Sequence, residues 1–391
     1  MGPNCSTGGD LKGMSEALRK IVYLSGTRAD FGLIKSTLQL LATVADLSVA
    51  VTGMHLEPAF GYTVEEIRAA GLLVCGEVPV DVTSRSRVSM SSSLGLCLHG
   101  LTSLLAWERP DILVVLGDRG EMLAGAIAAL HLGIVCVHIH GGERSGTIDE
   151  PMRHAISKLA SYHFVATEES RDRLIRMGES PERICLTGAP GLDGMLDAAA
   201  LPAIDCRLTL GLPASQPFVM ALFHPIVQQA YDAYAQTSNL LAALHQVGLP
   251  VVWLEPNSDA GSAEVVKALN DKGLPPGSRR KRHLHRALFC AAMKYSSFMI
   301  GNSSAGIIEA ASFGTPVVNV GDRQRLRERN INVEDVVPYA QAIYDAAQRA
   351  IVHGRWPCSN KYGNGTAGAR IVEKLLALPL ERSVLEKINC Y

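Results

Sequence analysis

Little in these 391 residues speaks for nucleic acid, membrane or metal. The formal net charge is −1, with 37 Lys and Arg against 38 Asp and Glu, and charges of both signs are interspersed. The electrostatic footprint expected for nucleic acid or an anionic bilayer is therefore missing. Nine cysteines are scattered from Cys5 to Cys390, none in C-x-x-C spacing and none clustered with histidine as a zinc site would require. Several lie in apolar runs, such as Cys136 in Ile134-Val135-Cys136-Val137, and read as buried reduced thiols. The opening MGPNCSTGGDLKG lacks the apolar stretch of a signal peptide. No run approaches the roughly 18 apolar residues of a membrane span. The expectation is a cytoplasmic chain with a flexible extension over residues 1–18.

What the sequence does have is alternation. Ile21–Leu24, Leu47–Val51, Ile112–Leu116 and Ile134–Ile139 are short β-branched runs, each ending in a polar or glycine-bearing loop. Helical patterns lie between them, for example over 121–132 and 151–161. This is the signature of parallel strands joined by crossover helices. The pattern breaks over 190–217, which reads as a linker, and resumes with Phe218–Phe223, Val251–Leu254, Phe298–Ile300 and Val317–Val320. The length suits two domains. The fold class expected is α/β, with two Rossmann-like domains over 19–192 and 193–372 facing a central cleft.

Ligands of open parallel sheets sit beyond the carboxyl ends of the strands. Thr27-Arg28, His55, Asp118-Arg119, His140 to Glu143, His224 and Asn302-Ser303-Ser304 all follow apolar runs, so they should line one cleft. Gly301-Asn-Ser-Ser-Ala-Gly306 opens a helical pattern and offers backbone N–H groups and hydroxyls to a diphosphate. Glu309, one turn on, either accepts ribose hydroxyls or is simply solvated. Arg28, Arg119 and Arg323 carry the planar fork that suits phosphate oxygens. Asp118, Glu143 and Asp149 are acidic groups in loops, the pattern for acid–base work on a sugar, although each also fits a cap or an ion pair. Asp149 in particular suits a cap for a helix beginning near Pro151. His138 and His140 alternate across a strand, so one of them should face the core.

The stretches SGTRADFGLIK (25–35), VTGMHL (51–56), LGDRGEML (116–123), HIHGGERSGTIDEPMRHAISK (138–158), FHP (223–225), GNSSAGIIEAASFGTPVVNVGDRQ (301–324) and PCSNKYGNG (357–365) resemble the hydrolysing UDP-N-acetylglucosamine 2-epimerases. The resemblance spans about Ile21 to Leu378. It implies a GT-B-type fold with a C-terminal helix, placed over 373–391, crossing back onto the first domain. It implies elimination of UDP across C1–C2 to a 2-acetamidoglucal, then hydration to the free 2-epimeric sugar, with no metal or other cofactor. By position, the resemblance places uridine and diphosphate ligands on Arg28, Arg119, Leu284, Ser303, Ser304, Glu309 and Arg323, and acid–base groups on Asp118, Asp149 and His224. A further acid–base position, glutamate in many relatives, is His140 here. Either His140 takes that role, or Glu143 supplies the carboxylate, or the sugar differs. The partner implied is a UDP-sugar, and the chain is expected to be a homodimer or homotetramer. The expected substrate is UDP-N-acetylglucosamine, for sialic-acid-type synthesis. The alternative is UDP-2,4-diacetamido-2,4,6-trideoxyglucose (UDP-N,N'-diacetylbacillosamine), for legionaminic acid. The loop Val82–Leu96 and the segment 144–148 would read the difference at C4 and C6. A glycosyltransferase of this fold and a non-catalytic UDP-sugar binder are the more distant readings.

Overall fold

The computed structural model describes residues 18–83, 87–145, 149–256 and 261–390. Residues 1–17, which hold nearly all of the expected extension, and 84–86 and 146–148, inside both segments expected to read the sugar, lie outside the described residues.

Two parallel sheets carry the fold. The first contains β1 (Lys20–Ser25), β2 (Asp46–Thr52), β3 (Leu73–Val78), β4 (Ile112–Leu116), β5 (Val135–Ile139), β6 (Tyr162–Val165) and β7 (Ile184–Leu186) in the order 3-2-1-4-5-6-7. The second contains β8 (Val219–Leu222), β9 (Val251–Leu254), β10 (Arg279–Lys281), β11 (Met299–Gly301), β12 (Val317–Val320) and β13 (Val333–Val336) in the order 10-9-8-11-12-13. Each order reverses direction beside its first strand, the doubly wound arrangement of Rossmann-like folds. Central strands are buried on both faces, as β4 and β5 are at every residue, which is why they appear as unbroken apolar runs. Cys97, Cys136, Cys206 and Cys290 are buried free thiols.

Two expectations need correcting. The stretch 190–217, expected as a linker where the alternation breaks, contains the helices Met195–Ala198 and Ala203–Leu210. Met195, Ala199, Cys206 and Leu210 belong to the core of the second sheet, so burial of apolar side chains outweighs the Gly and Pro signals there. A membrane-length apolar helix was not expected, yet Val88–Glu108 is long and apolar enough by composition to cross a bilayer. Only 17% of its apolar window is buried, through residues such as Cys97, Leu101 and Leu105 that pack in the first domain.

The helix that crosses back is Ala367–Ala377, starting before the expected position 373. Ile371, Val372 and Leu375 enter the core under the first sheet beside Phe31, Ile34 and Leu38. Asp193 fixes the start of this helix by accepting from the Ala367 amide at 2.9 Å and from the Gly368 amide at 2.5 Å. The chain thus ends on the domain it began with.

Candidate active site

Because every pairing in both sheets is parallel, the polar residues after β1, β2, β4 and β5 share one edge of the first sheet, and those after β8 and β11 share one edge of the second. Contacts join these edges. Arg327, in the loop after β12, reaches Glu143, after β5, at 2.8 Å. Arg286 donates to the Gly191 carbonyl at 2.5 Å. The Arg28 charge is also felt across the cleft at His283, whose pKa is pushed down by burial and by that charge.

The acid–base candidates after β4 and β5 form one cluster. Arg153, on the helix Asp149–Leu159, donates to Asp118 and, at 2.9 Å, to the His140 carbonyl. Its guanidinium is also 3.6 Å from Glu143. Glu143 accepts from Arg327 and is paired with His140 Nδ1. Burial alone would push the Glu143 pKa up, but His140, Arg327 and Arg153 outweigh it and hold the carboxyl well below its usual range. Glu143 is thus enclosed by cations, which leaves it as a partner for His140 and does not present it to a sugar. Asp118 remains part-exposed. The helix begins at Asp149 and not near Pro151, so Asp149 is its first residue and not a cap ahead of it.

His140 has φ +64°, a left-handed backbone unusual for a residue with a side chain. The turn is secured at both ends, by its amide on the Phe164 carbonyl at 2.9 Å and by Arg153 on its own carbonyl. His138 is the histidine that faces inward. It is fully buried, bonded to Ser157 at 3.0 Å and the Gly117 carbonyl at 2.7 Å, and burial pushes its pKa down to about 3.

Two expected ligand residues prove structural. His55 is fully buried, with its ring nitrogens on Ser25 at 2.9 Å and Thr63 at 2.7 Å. Neither nitrogen is left for a substrate, because the short turn Gly53–Leu56 folds the ring inward. Asn302 is also buried, and its side-chain amide bonds both the N–H and the C=O of His224 at 2.8 Å. Its role is to hold His224 at the end of β8. Burial, assisted by Arg323, lowers the His224 pKa to about 4, so the ring is neutral near pH 7 and can accept a proton.

The glycine-serine turn is built as expected. Gly301 has φ +130°, and a Cβ there would lie 1.9 Å from the Leu222 carbonyl oxygen, so only glycine lets the turn pass this close to β8. Ser303 caps the short helix Ser304–Ile308, accepting from the Ala305 amide at 3.4 Å. Arg323 and Gln324 each donate to the Asn302 carbonyl at 3.1 Å, which sets Arg323 beside the turn. Glu309 is not a solvated helix residue: it is buried and paired with Arg286 at 3.0 Å, and burial raises its pKa against that cation. Leu284 is buried two residues before Arg286. On the opposite wall, Arg28 pairs with Glu66 at 2.9 Å and Arg119 with Glu121 at 3.3 Å.

Sequence reasoning missed Asp30, Arg153, Arg286 and Arg327. Asp30 is buried under the β1 turn and accepts from the Gly26 and Thr27 amides at 3.1 and 2.7 Å. Its position three residues after Thr27, in a capping-box pattern, was the available signal. The arginines gave none, because each lies in a helix or loop where an exposed arginine is the ordinary case.

A profile of the UDP-N-acetylglucosamine 2-epimerase family matches residues 41–376. The chain is 44% identical over 376 residues to a hydrolysing UDP-N,N'-diacetylbacillosamine 2-epimerase of Legionella pneumophila, covering 96% of this chain and 100% of that one. It is 32% identical over 360 residues to a UDP-N-acetylglucosamine 2-epimerase of Neisseria meningitidis, covering 89% and 92%. Among solved structures, a Neisseria meningitidis UDP-GlcNAc 2-epimerase bound to UDP-GlcNAc superposes with TM-score 0.76 at 18% identity, over 92% of this chain and 100% of that one.

Proposed function

The chain belongs to the UDP-N-acetylglucosamine 2-epimerase family, and from that premise we propose that it is a hydrolysing 2-epimerase that releases UDP from UDP-N,N'-diacetylbacillosamine. One observation carries the choice of sugar: the identity of 44% runs the full length of the Legionella enzyme that takes it, against 32% for the Neisseria UDP-N-acetylglucosamine enzyme. This reverses the order in which the sequence alone ranked the two sugars.

The chemistry asks for few parts. A base removes the C2 proton, its electron pair becomes the C1–C2 double bond, and the C1–O bond breaks with its pair going to UDP. Water then adds, with hydroxyl at C1 and a proton at C2 on the opposite face. His140, joined to Asp118 through Arg153, Asp149 at the start of the helix that carries Arg153, and the neutral His224 opposite supply groups for proton removal and return. Arg323, Ser303 and Ser304 suit the departing diphosphate, with Arg28 and Arg119 on the other wall. Glu309 and the backbone at Leu284 suit the nucleoside.

The test is UDP release from each sugar nucleotide measured side by side. The expected result is a kcat/KM for the diacetamido sugar at least about tenfold above that for UDP-N-acetylglucosamine, within what a pocket reading one or two substituents achieves. The opposite ranking would overturn the substrate and leave the family assignment in place.

A further inference from the structure

The loop after β12 holds residues of two different jobs only a few positions apart. Arg323 and Gln324 bond the Asn302 carbonyl in the turn proposed for diphosphate. Arg327 crosses to the other domain and bonds Glu143 at 2.8 Å. The Arg327 and Glu143 side chains are 14% and 6% exposed, so the pair is a buried strut between the domains and not a surface ion pair. Glu143 in turn holds Nδ1 of His140. A carboxylate on one ring nitrogen keeps the proton there and leaves the other nitrogen as the base, the arrangement by which an acid orients a catalytic imidazole.

We infer that Arg327 is a positioning residue that acts through Glu143 on His140, so that the acid–base pair is complete only when the second domain's loop is seated against the first. This rests on the hydrolysing reading above. It ties the two sites together: the loop that sets Arg323 beside the diphosphate turn also carries Arg327 to Glu143. Glu143 answers to two guanidiniums, but they differ in origin. Arg153 belongs to the same domain and is shared with Asp118, whereas Arg327 arrives only with the second domain. The other titratable and charged groups around the pair are Asp118, His138, Arg144, Arg173, Glu328 and Tyr362.

The experiment compares wild type, Arg327→Met, Arg327→Lys, Glu143→Gln and the double variant Arg327→Met/Glu143→Gln, measuring UDP affinity by calorimetry and steady-state turnover across pH. Arg327→Met should lose at least about tenfold in kcat while binding UDP within about twofold of wild type. Arg327→Lys should recover part of the loss. Removing the cation leaves the Glu143–His140 pair more negative, so the pair keeps its proton to higher pH and the acid limb of kcat/KM moves upward. The double variant should be no slower than Glu143→Gln alone, because both changes break one chain of action. Wild-type turnover by Arg327→Met, an unmoved acid limb, or losses that multiply in the double variant would overturn the inference. Absence of UDP release by the wild-type protein from either sugar would instead bring down the functional reading beneath it.

Discussion

Glu143 and the buried histidines respond to acid in the same direction. His138 and His224 have pKa values pushed down by burial, to about 3 and about 4, while an unfolded chain's histidines titrate near 6.5. Between those values the unfolded state binds more protons, so folding stability present above about pH 6.5 falls as pH drops. Glu143, held low by its cations once burial is overcome, adds a second loss beginning below the ordinary carboxylate range near 4.5. Thermal melts across pH 4 to 8 should therefore show Tm falling from about pH 6.5 downward, and a flat profile would contradict these burial effects. Asp118 makes a separate prediction. Asp118→Asn keeps the shape but removes the carboxylate beside His140 and Arg153, so kcat should fall about 10² to 10⁴-fold with UDP affinity nearly unchanged. Turnover near wild type would take Asp118 out of the acid–base set.

At the scale of elements, legibility followed chemistry. The runs Ile112–Leu116, Val251–Leu254 and Val317–Val320 coincide with strands as observed, because strands buried on both faces must be continuously apolar. Strand β10 is Arg-Arg-Lys and exists through backbone pairing with β9 at the sheet edge, so no apolar pattern announces it. Strand β6 follows the helix Asp149–Leu159 so closely that its start looks like a continuing helix. The site divides the same way. Residues at strand ends, such as Asp118 and His140, could be placed because topology fixes where strands end. Of Arg325, Arg327 and Arg329, nothing in the sequence says which turns inward, since that depends on how the second domain meets the first. His55 and Asn302 sit at strand ends too, yet turn away from the cleft, a choice made by Ser25, Thr63 and the His224 backbone. Two substitutions test the element-level account. Gly301→Ala sets a Cβ against the Leu222 carbonyl and should cost more than about 1 kcal/mol, measured by denaturant unfolding. Ile371→Ala should cost about 2 to 5 kcal/mol, because the crossing helix completes the first domain's core.

For the whole molecule, the least accounted surface is the helix Arg87–Glu108. Val88, Met90, Leu96 and Trp107 are exposed on it, Trp107 at 83%. Apolar side chains left in water along a long helix suit a protein partner, and the homodimer or homotetramer expected from the resemblance supplies one. Trp107→Glu should then lower the mass found by light scattering, and an unchanged mass would place the subunit seam elsewhere. The two sheets, each with its strand ends turned to the other, make the cleft, and the strut from Arg327 to Glu143 joins its walls. The central claim is that a UDP-sugar held there loses UDP by elimination and not by simple hydrolysis. NMR of the reaction with UDP-N,N'-diacetylbacillosamine in D2O addresses it directly. The account predicts free UDP and a 2-epimeric free sugar carrying deuterium at C2. Free sugar with protium at C2, or a 2-epimer still attached to UDP, would contradict it.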